Sequence, residues 1–262
     1  MMRLALVPRA WRALRVVVHG LHGLATTLLV FPLVDGQRRQ RLVQHWSARL
    51  LELLHVEMRT SGRIDAPGGN VLVVANHVSW LDIFVINAHQ VARFVAKADL
   101  AHWPLVGTLI RGPGTIFIER ARRVDTRRVN QAAAQALAEG AVVAVFPEGT
   151  TTDGSQVHRF HSSLLQPIIE SQGRMQPVAL RYRDATGARS MAPTYGDESF
   201  ATSFWRVCGE RRLLVDVIAT APIDASGTHR RVLAGLAEAA IRTALDAKAA
   251  STEPGTRGDR AG

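Results

Sequence analysis

His77 and Asp82, within Asn76-His77-Val78-Ser79-Trp80-Leu81-Asp82, have the types and spacing for proton transfer. An imidazole can take a proton from a hydroxyl near neutral pH. A carboxylate on its other nitrogen fixes the tautomer and stabilises the imidazolium. On one ideal helix a five-residue spacing sets two side chains roughly 140° apart, so the pair meets only if the chain turns between them. The run Val71–Ala75 reads as a strand buried on both faces, and Ser79 reads as the N-cap of a helix over Trp80–Ala88. A strand–turn–helix junction therefore brings His77 to Asp82 in the first helical turn. Taken alone, such a pair is more often a core histidine beside a capping carboxylate.

Its company changes the balance. Asn76-His77 follows the first strand, Lys97 follows a strand at Ala92–Ala96, Glu119-Arg120 follows one at Thr115–Ile118, and Glu148-Gly149-Thr150 follows one at Ala141–Phe146. Each has a plainer reading: Arg120 as part of the solvated run to Arg128, Phe146–Gly149 as a turn, Lys97 as a surface residue. Helices are predicted at Trp103–Ile110, from an Asp125 cap to Glu139 with Gly140 as its stop, at Ser162–Ser171 and at Thr228–Ala249. Further strands are read at Pro177–Tyr182 and Leu213–Thr220. This alternation predicts an α/β fold, a largely parallel sheet flanked by helices, whose loops beyond the strand C-termini share one crevice.

Residues 1–56 differ from the rest. Ala13–Val34 is apolar and of borderline length for a membrane crossing, with Arg3, Arg9, Arg12 and Arg15 at one end and Arg38, Arg39 and Arg41 at the other. Positive charge on both flanks fits one crossing poorly, because Lys and Arg prefer the cytoplasmic side; a re-entrant or interfacial hairpin keeps every arginine there. Arg38–Val56 is amphipathic, suited either to packing on the catalytic domain or to membrane contact. The expected organisation is a membrane-associated helical segment (1–56), a catalytic domain (57–250) and a disordered tail (251–262). The expected location is the cytoplasmic face of a membrane, monotopic or single-span.

With 32 Lys+Arg against 22 Asp+Glu, the net charge of +10 implies an anionic partner. A non-catalytic basic module for membranes or nucleic acid shares that charge. Aromatics, however, are 6% of residues and do not interleave with the arginines as a nucleic-acid stacking platform requires. Cys208 is the sole cysteine and lies outside every polar cluster, and no Gly-x-Ser-x-Gly elbow is present, which argues against a covalent intermediate on a serine or cysteine. His158-x2-His161 and His19-x2-His22 lack companion ligands, so no metal site is expected.

Asn76–Asp82, Gly114–Arg120 (GTIFIER), Phe146–Thr150 (FPEGT) and Pro177–Leu180 (PVAL) resemble the four ordered blocks of the glycerolipid, or lysophospholipid, acyltransferase family. The similarity is closest to bacterial 1-acyl-glycerol-3-phosphate acyltransferases. It covers roughly Arg38–Leu180, and Lys97 falls where that family carries a lysine. The resemblance implies acyl transfer from a coenzyme A or acyl-carrier-protein thioester to a lysolipid hydroxyl at the bacterial inner membrane, first of all that of 1-acyl-glycerol-3-phosphate to give phosphatidic acid, without a cofactor. His77 is then the base, oriented by Asp82 and supported by Asn76 and Ser79, with oxyanion donors among the N–H groups opening the next helix. Lys97 and Arg120 then meet an acceptor phosphate, and Glu148, Gly149 and Thr150 position acceptor hydroxyls. Thr151 stands where many relatives carry a basic residue, which brings lyso-ornithine lipid in as the alternative acceptor.

Overall fold

The computed structural model describes residues 2–64, 66, 68–98, 106–118, 123–194 and 198–250. Among them eight strands form one sheet: β1 (Val56–Ser61), β2 (Val71–Ala75), β3 (Arg93–Lys97), β4 (Ile116–Ile118), β5 (Val142–Val145), β6 (Arg174–Arg183), β7 (Leu213–Ala219) and β8 (Ile223–Asp224). Their order is β1-β7-β6-β2-β5-β3-β4, with β8 paired to β6. The β6–β7 and β6–β8 pairs are antiparallel and every other pair is parallel.

The helices are α1 (Met2–Ala25), α2 (Gly36–Leu53), α3 (Asp82–His89), α4 (Val106–Arg111), α5 (Arg123–Ala138), α6 (Gln166–Glu170), α7 (Phe200–Gly209) and α8 (Arg230–Ala250). Period-two alternation along the strands splits the core between the two faces of the sheet. Val71, Val73, Val178 and Leu180 meet α2, α3 and α7, through residues such as Leu51, Val85 and Val207. Leu72, Val74, Met175 and Ala179 meet α5, α6 and α8 through Leu137, Ile168 and Leu233.

The predicted strands and helices recur, with shifted ends. Ser79 does not cap a helix over Trp80–Ala88, because a Ser79–Asp82 turn comes first, closed by Asp82 N–H donating to the Ser79 carbonyl at 3.1 Å. Helix α3 begins only at Asp82. Asp125 lies inside α5, which begins at Arg123. Pro167 opens α6 after a 3₁₀ turn over Ser162–Leu165, a place where its missing N–H costs nothing. The start of the helix expected from Trp103, the pair Glu119-Arg120 and the tail Ser251–Gly262 lie outside the described residues. β1, β8 and α7 are absent from the sequence prediction.

The N-terminal segment is a helical hairpin. α1 continues as a π-helical turn (Thr26–Val30) and a 3₁₀ turn (Phe31–Leu33), and the chain reverses at Asp35, whose carboxylate caps α2 by accepting from Arg38 N–H at 2.8 Å. Val7–Leu33 is long and apolar enough to cross a membrane. One face of this helix nevertheless lies against the domain. Arg9 donates to the Trp205 carbonyl at 2.7 Å and stacks on its ring, Arg12 donates to the Glu210 carbonyl, and Trp46 donates to the His19 carbonyl at 3.0 Å. The opposite face carries exposed Val7, Trp11, Leu14, Val18, Leu21 and Leu29. Leu50, Leu51 and Leu54, from α2 and its C-cap, belong to the central core, so the amphipathic face of α2 packs inward.

Candidate active site

The chain leaves β2 at Asn76 without entering a helix, and side chains hold it there. Asn76 extends the β2–β6 pairing: its Nδ2 donates to the Leu180 carbonyl at 2.9 Å and its Oδ1 accepts from Leu180 N–H at 2.8 Å. His77 follows, clamped on both sides of its backbone by the segment after β5. Its N–H donates to Glu148 Oε1 at 2.7 Å, and its carbonyl accepts from Thr152 N–H at 2.8 Å. The imidazole stacks on Phe146, with ring centroids 4.1 Å apart.

His77 Nδ1 lies 2.9 Å from Asp82 Oδ2, the contact that the turn was expected to permit. Asp82 is fully buried, and a buried carboxylate needs donors to remain charged. Oδ2 also accepts from the N–H groups of Val78 at 2.8 Å and Ser79 at 2.9 Å, and Oδ1 accepts from Tyr182 Oη at 2.8 Å. With Nδ1 committed, Nε2 is the ring nitrogen left to accept a proton. The His77 side chain retains 17% exposure, enough to meet a substrate.

The supporting residues divide by geometry. Ser79 donates its hydroxyl to the Pro193 carbonyl at 2.8 Å and accepts from Leu81 N–H at 3.1 Å, fixing the turn. Glu148 is buried, and its second oxygen accepts from His158 N–H at 2.8 Å. Its carboxylate thus ties three loop segments together beneath His77. Burial pushes its pKa up, while the two N–H donors pull it down. Gly149 turns the loop at φ +78°, the left-handed region where a side chain is strained, and Thr150 is exposed. Oxyanion donors are expected among the N–H groups that open the next helix, without particular residues; in the structure the N–H groups of Val78, Ser79, Leu81 and Asp82 are directed internally.

β2, β5, β3 and β4 run parallel and side by side, so Lys97, the last residue of β3, ends on the same edge as His77. Strand spacing of about 4.8 Å puts the end of β4 roughly 14 Å from that of β2 across the edge. Arg120, two residues beyond β4, is outside the described residues. Among the described residues no group of three His, Cys, Asp or Glu side chains could hold a metal ion. An apolar cleft with a cavity volume of about 100 Å³ is lined by Phe31, Trp46, Phe84, Phe94, Ala96 and Leu109 among others. Phe94 stacks on Phe146 at 5.8 Å, placing the cleft one aromatic ring away from His77.

A family model described as acyltransferase matches residues 55–181, from the last residue before β1 to near the end of β6. A lyso-ornithine lipid O-acyltransferase of Pseudomonas aeruginosa is 38% identical over 257 residues, 97% of this chain and 98% of its own. The chain belongs to the acyltransferase family. A 1-acyl-sn-glycerol-3-phosphate acyltransferase of Neisseria gonorrhoeae is 37% identical over 201 residues, 76% of this chain and 79% of its own. The crystal structure of the 1-acyl-sn-glycerophosphate acyltransferase PlsC of Thermotoga maritima shares the fold, with a TM-score of 0.64 and 21% identity over 91% of this chain and 98% of that one. In this acyltransferase the matched region holds His77, Asp82, Glu148 and Thr152 together, while α1, α7 and α8 lie outside it. Sequence reasoning missed Thr152 and Tyr182. For Tyr182 a signal existed: Val178, Leu180 and Tyr182 share one face by strand parity, the face that also carries Ala75.

Proposed function

We propose that this acyltransferase moves a fatty acyl group from a thioester to the free hydroxyl of a lysolipid, with lyso-ornithine lipid as the acceptor. The observation carrying the chemistry is the His77–Asp82 contact with Nε2 left free. His77 Nε2 takes the hydroxyl proton as the acceptor oxygen attacks the thioester carbonyl. The new C–O bond forms, the C–S bond breaks, and the imidazolium returns its proton to the departing thiolate. Asp82 stabilises the imidazolium in between. The route calls on no metal or cofactor, and the donor is a coenzyme A or carrier-protein thioester, both anionic and matched by the +10 charge. The apolar lining of the cleft suits part of a fatty chain, and the stacked rings of Phe94 and Phe146 connect that lining to His77.

Likeness along nearly the whole chain supports the lyso-ornithine acceptor. Phosphatidic acid formation from 1-acyl-glycerol-3-phosphate is the second reading, supported by the Neisseria relative. The resemblance of Lys97 and of the Gly114–Arg120 block to family positions implied to meet a phosphate favours it too. Thiol release by the full chain in mixed lipid vesicles, with each acceptor in turn, separates the two. Faster turnover of lyso-ornithine lipid supports the first reading, faster turnover of lysophosphatidic acid replaces it with the second, and no turnover of either leaves a binding module.

The attachment we infer is monotopic, on the cytoplasmic face. The helix over Val7–Leu33 is fastened to α2 and α7 along one side, so a full crossing would drag charged parts of the domain into hydrocarbon. Lying in the interface instead, it keeps that side on the protein, its apolar side in lipid and its flanking arginines on the anionic leaflet.

A further inference from the structure

The two oxygens of Asp82 are held differently. Oδ2 has three donors, His77 Nδ1 and the N–H groups of Val78 and Ser79. Oδ1 meets the phenol of Tyr182, at 2.8 Å and a hundred residues along the chain. We propose that Tyr182 is a positioning residue for the reaction: its hydroxyl fixes the plane of the Asp82 carboxylate and sets how strongly that carboxylate holds the imidazolium of His77. The proposal rests on the reading of His77 as the base.

Three considerations support it. The terminal torsion of an aspartate is soft, and donors crowded on one oxygen leave the plane free to pivot about that oxygen. A donor on the other oxygen, from a rigid strand in the middle of the sheet, removes the freedom. Second, an O–H on a carboxylate disperses its charge, so the phenol restrains the proton affinity of the neighbouring imidazole. Third, the donor is permanent. Tyr182 is 2% exposed, and burial together with the Asp82 charge pushes its phenol well above 10.0, so the proton stays in place wherever His77 can act as a base. The plainer reading is that a buried phenol has simply found the nearest acceptor. Packing alone does not separate the two, because phenylalanine would fill the same space between Leu180 and the α3 side of the core.

The test is Tyr182→Phe in the full-length protein, compared with wild type for folding, for kcat and acceptor KM, and for the pH dependence of kcat/KM. Among the described residues, the titratable groups around His77 are Asp82 on α3, Tyr182 on β6, and Glu148 and His158 after β5. Asp82, Glu148 and His158 are unchanged by the substitution, so a shift reports the phenol. Without the donor, the Asp82 charge concentrates on its oxygens, the imidazolium is held more tightly, and the acidic limb of the profile moves to higher pH. We expect that shift with a fall in kcat of about 5- to 30-fold and acceptor KM within about twofold. In an Asp82→Asn background, Tyr182→Phe should add less than about a twofold loss, because the charge it modulates is gone. An unchanged profile and rate would make Tyr182 a satisfied core phenol, and an additive loss in the Asp82→Asn background would make it structural; either overturns the proposal. If Tyr182→Phe does not fold, 3-fluorotyrosine at position 182 keeps shape and hydroxyl while strengthening the donor. The acidic limb should then move to lower pH, and an unmoved limb refutes the role. Failure of the underlying reading is separate: it would show as unchanged turnover in His77→Ala itself.

Discussion

Asp82→Asn separates charge from shape at the centre of the site. Three N–H donors converge on Oδ2. The amide oxygen must take that position, since an NH₂ there would face all three. The amide nitrogen then falls at Oδ1, where Tyr182 Oη can turn to accept from it. His77 therefore keeps its Nδ1–H tautomer, and what disappears is one negative charge. With about 4 Å between charge centres and an effective dielectric of about 20, the lost attraction to an imidazolium is at most about 4 kcal/mol. The lower bound is the difference between charged and neutral hydrogen bonds, about 1 kcal/mol. Rates should fall between about 5-fold and 10³-fold, and we expect about 10²-fold in kcat with little change in acceptor KM. The assay is initial-rate thiol release from the thioester, on protein whose melting curve matches wild type. A folded variant above about a third of wild-type kcat would refute the ion-pair role. A loss beyond about 10⁴-fold would refute the three-donor argument, because it would signal a trapped wrong tautomer.

Other substitutions probe the surroundings. Asp216→Ala should cost about 3–5 kcal/mol in urea denaturation, because it strands the buried guanidinium of Arg183, now held at 2.8 Å by two hydrogen bonds; a cost below about 1 kcal/mol would show the pair to be dispensable. Ala96→Phe should narrow the apolar cleft and shift competition between short and long acyl thioesters toward the short ones, with little effect on a short donor alone; an unchanged ratio would remove the cleft from acyl binding. Cysteines introduced at Ala5 and Gln37 should both label from the cytoplasmic side, since native Cys208 is buried and silent; labelling of position 5 from the far side would establish a single span.

How much was legible in advance follows from which interactions are local. The His77–Asp82 pair could be foreseen because a five-residue spacing demands a turn and a β-branched run supplies a strand to turn from. The length of that turn could not, because it depends on Ser79 reaching Pro193, over a hundred residues away. β1 escaped notice since it lies at the sheet edge with its later residues exposed, so its sequence reads as polar. For α7 a signal existed: Phe200, Phe204, Val207 and Cys208 recur at helical spacing behind the Ser199 N-cap. For Glu148 the sequence offers only the resemblance of its block, which implies that it positions acceptor hydroxyls. Its two backbone partners, His77 and His158, emerge only when β2 and β5 are known to be neighbours.

That adjacency also explains why the His77–Asp82 pair can be held after β2 and not after another strand. β2 is flanked by parallel neighbours on both sides, β6 and β5, so two sets of groups can reach the loop at its C-terminal end. From the β5 side come Phe146 under the ring, Glu148 on the His77 N–H and Thr152 on its carbonyl. From the β6 side come Leu180, which receives Asn76, and Tyr182, which reaches Asp82. A histidine at the end of β4, which among the described residues pairs only with β3, would have support from one side alone. A one-residue slip of β6 against β2 would turn Tyr182 to the opposite face and bring Arg181 or Arg183 toward Asp82 in its place. The dyad is thus held by the register of three strands as much as by its own hydrogen bond, and substitutions that loosen β2–β6 pairing should lower kcat before they lower stability.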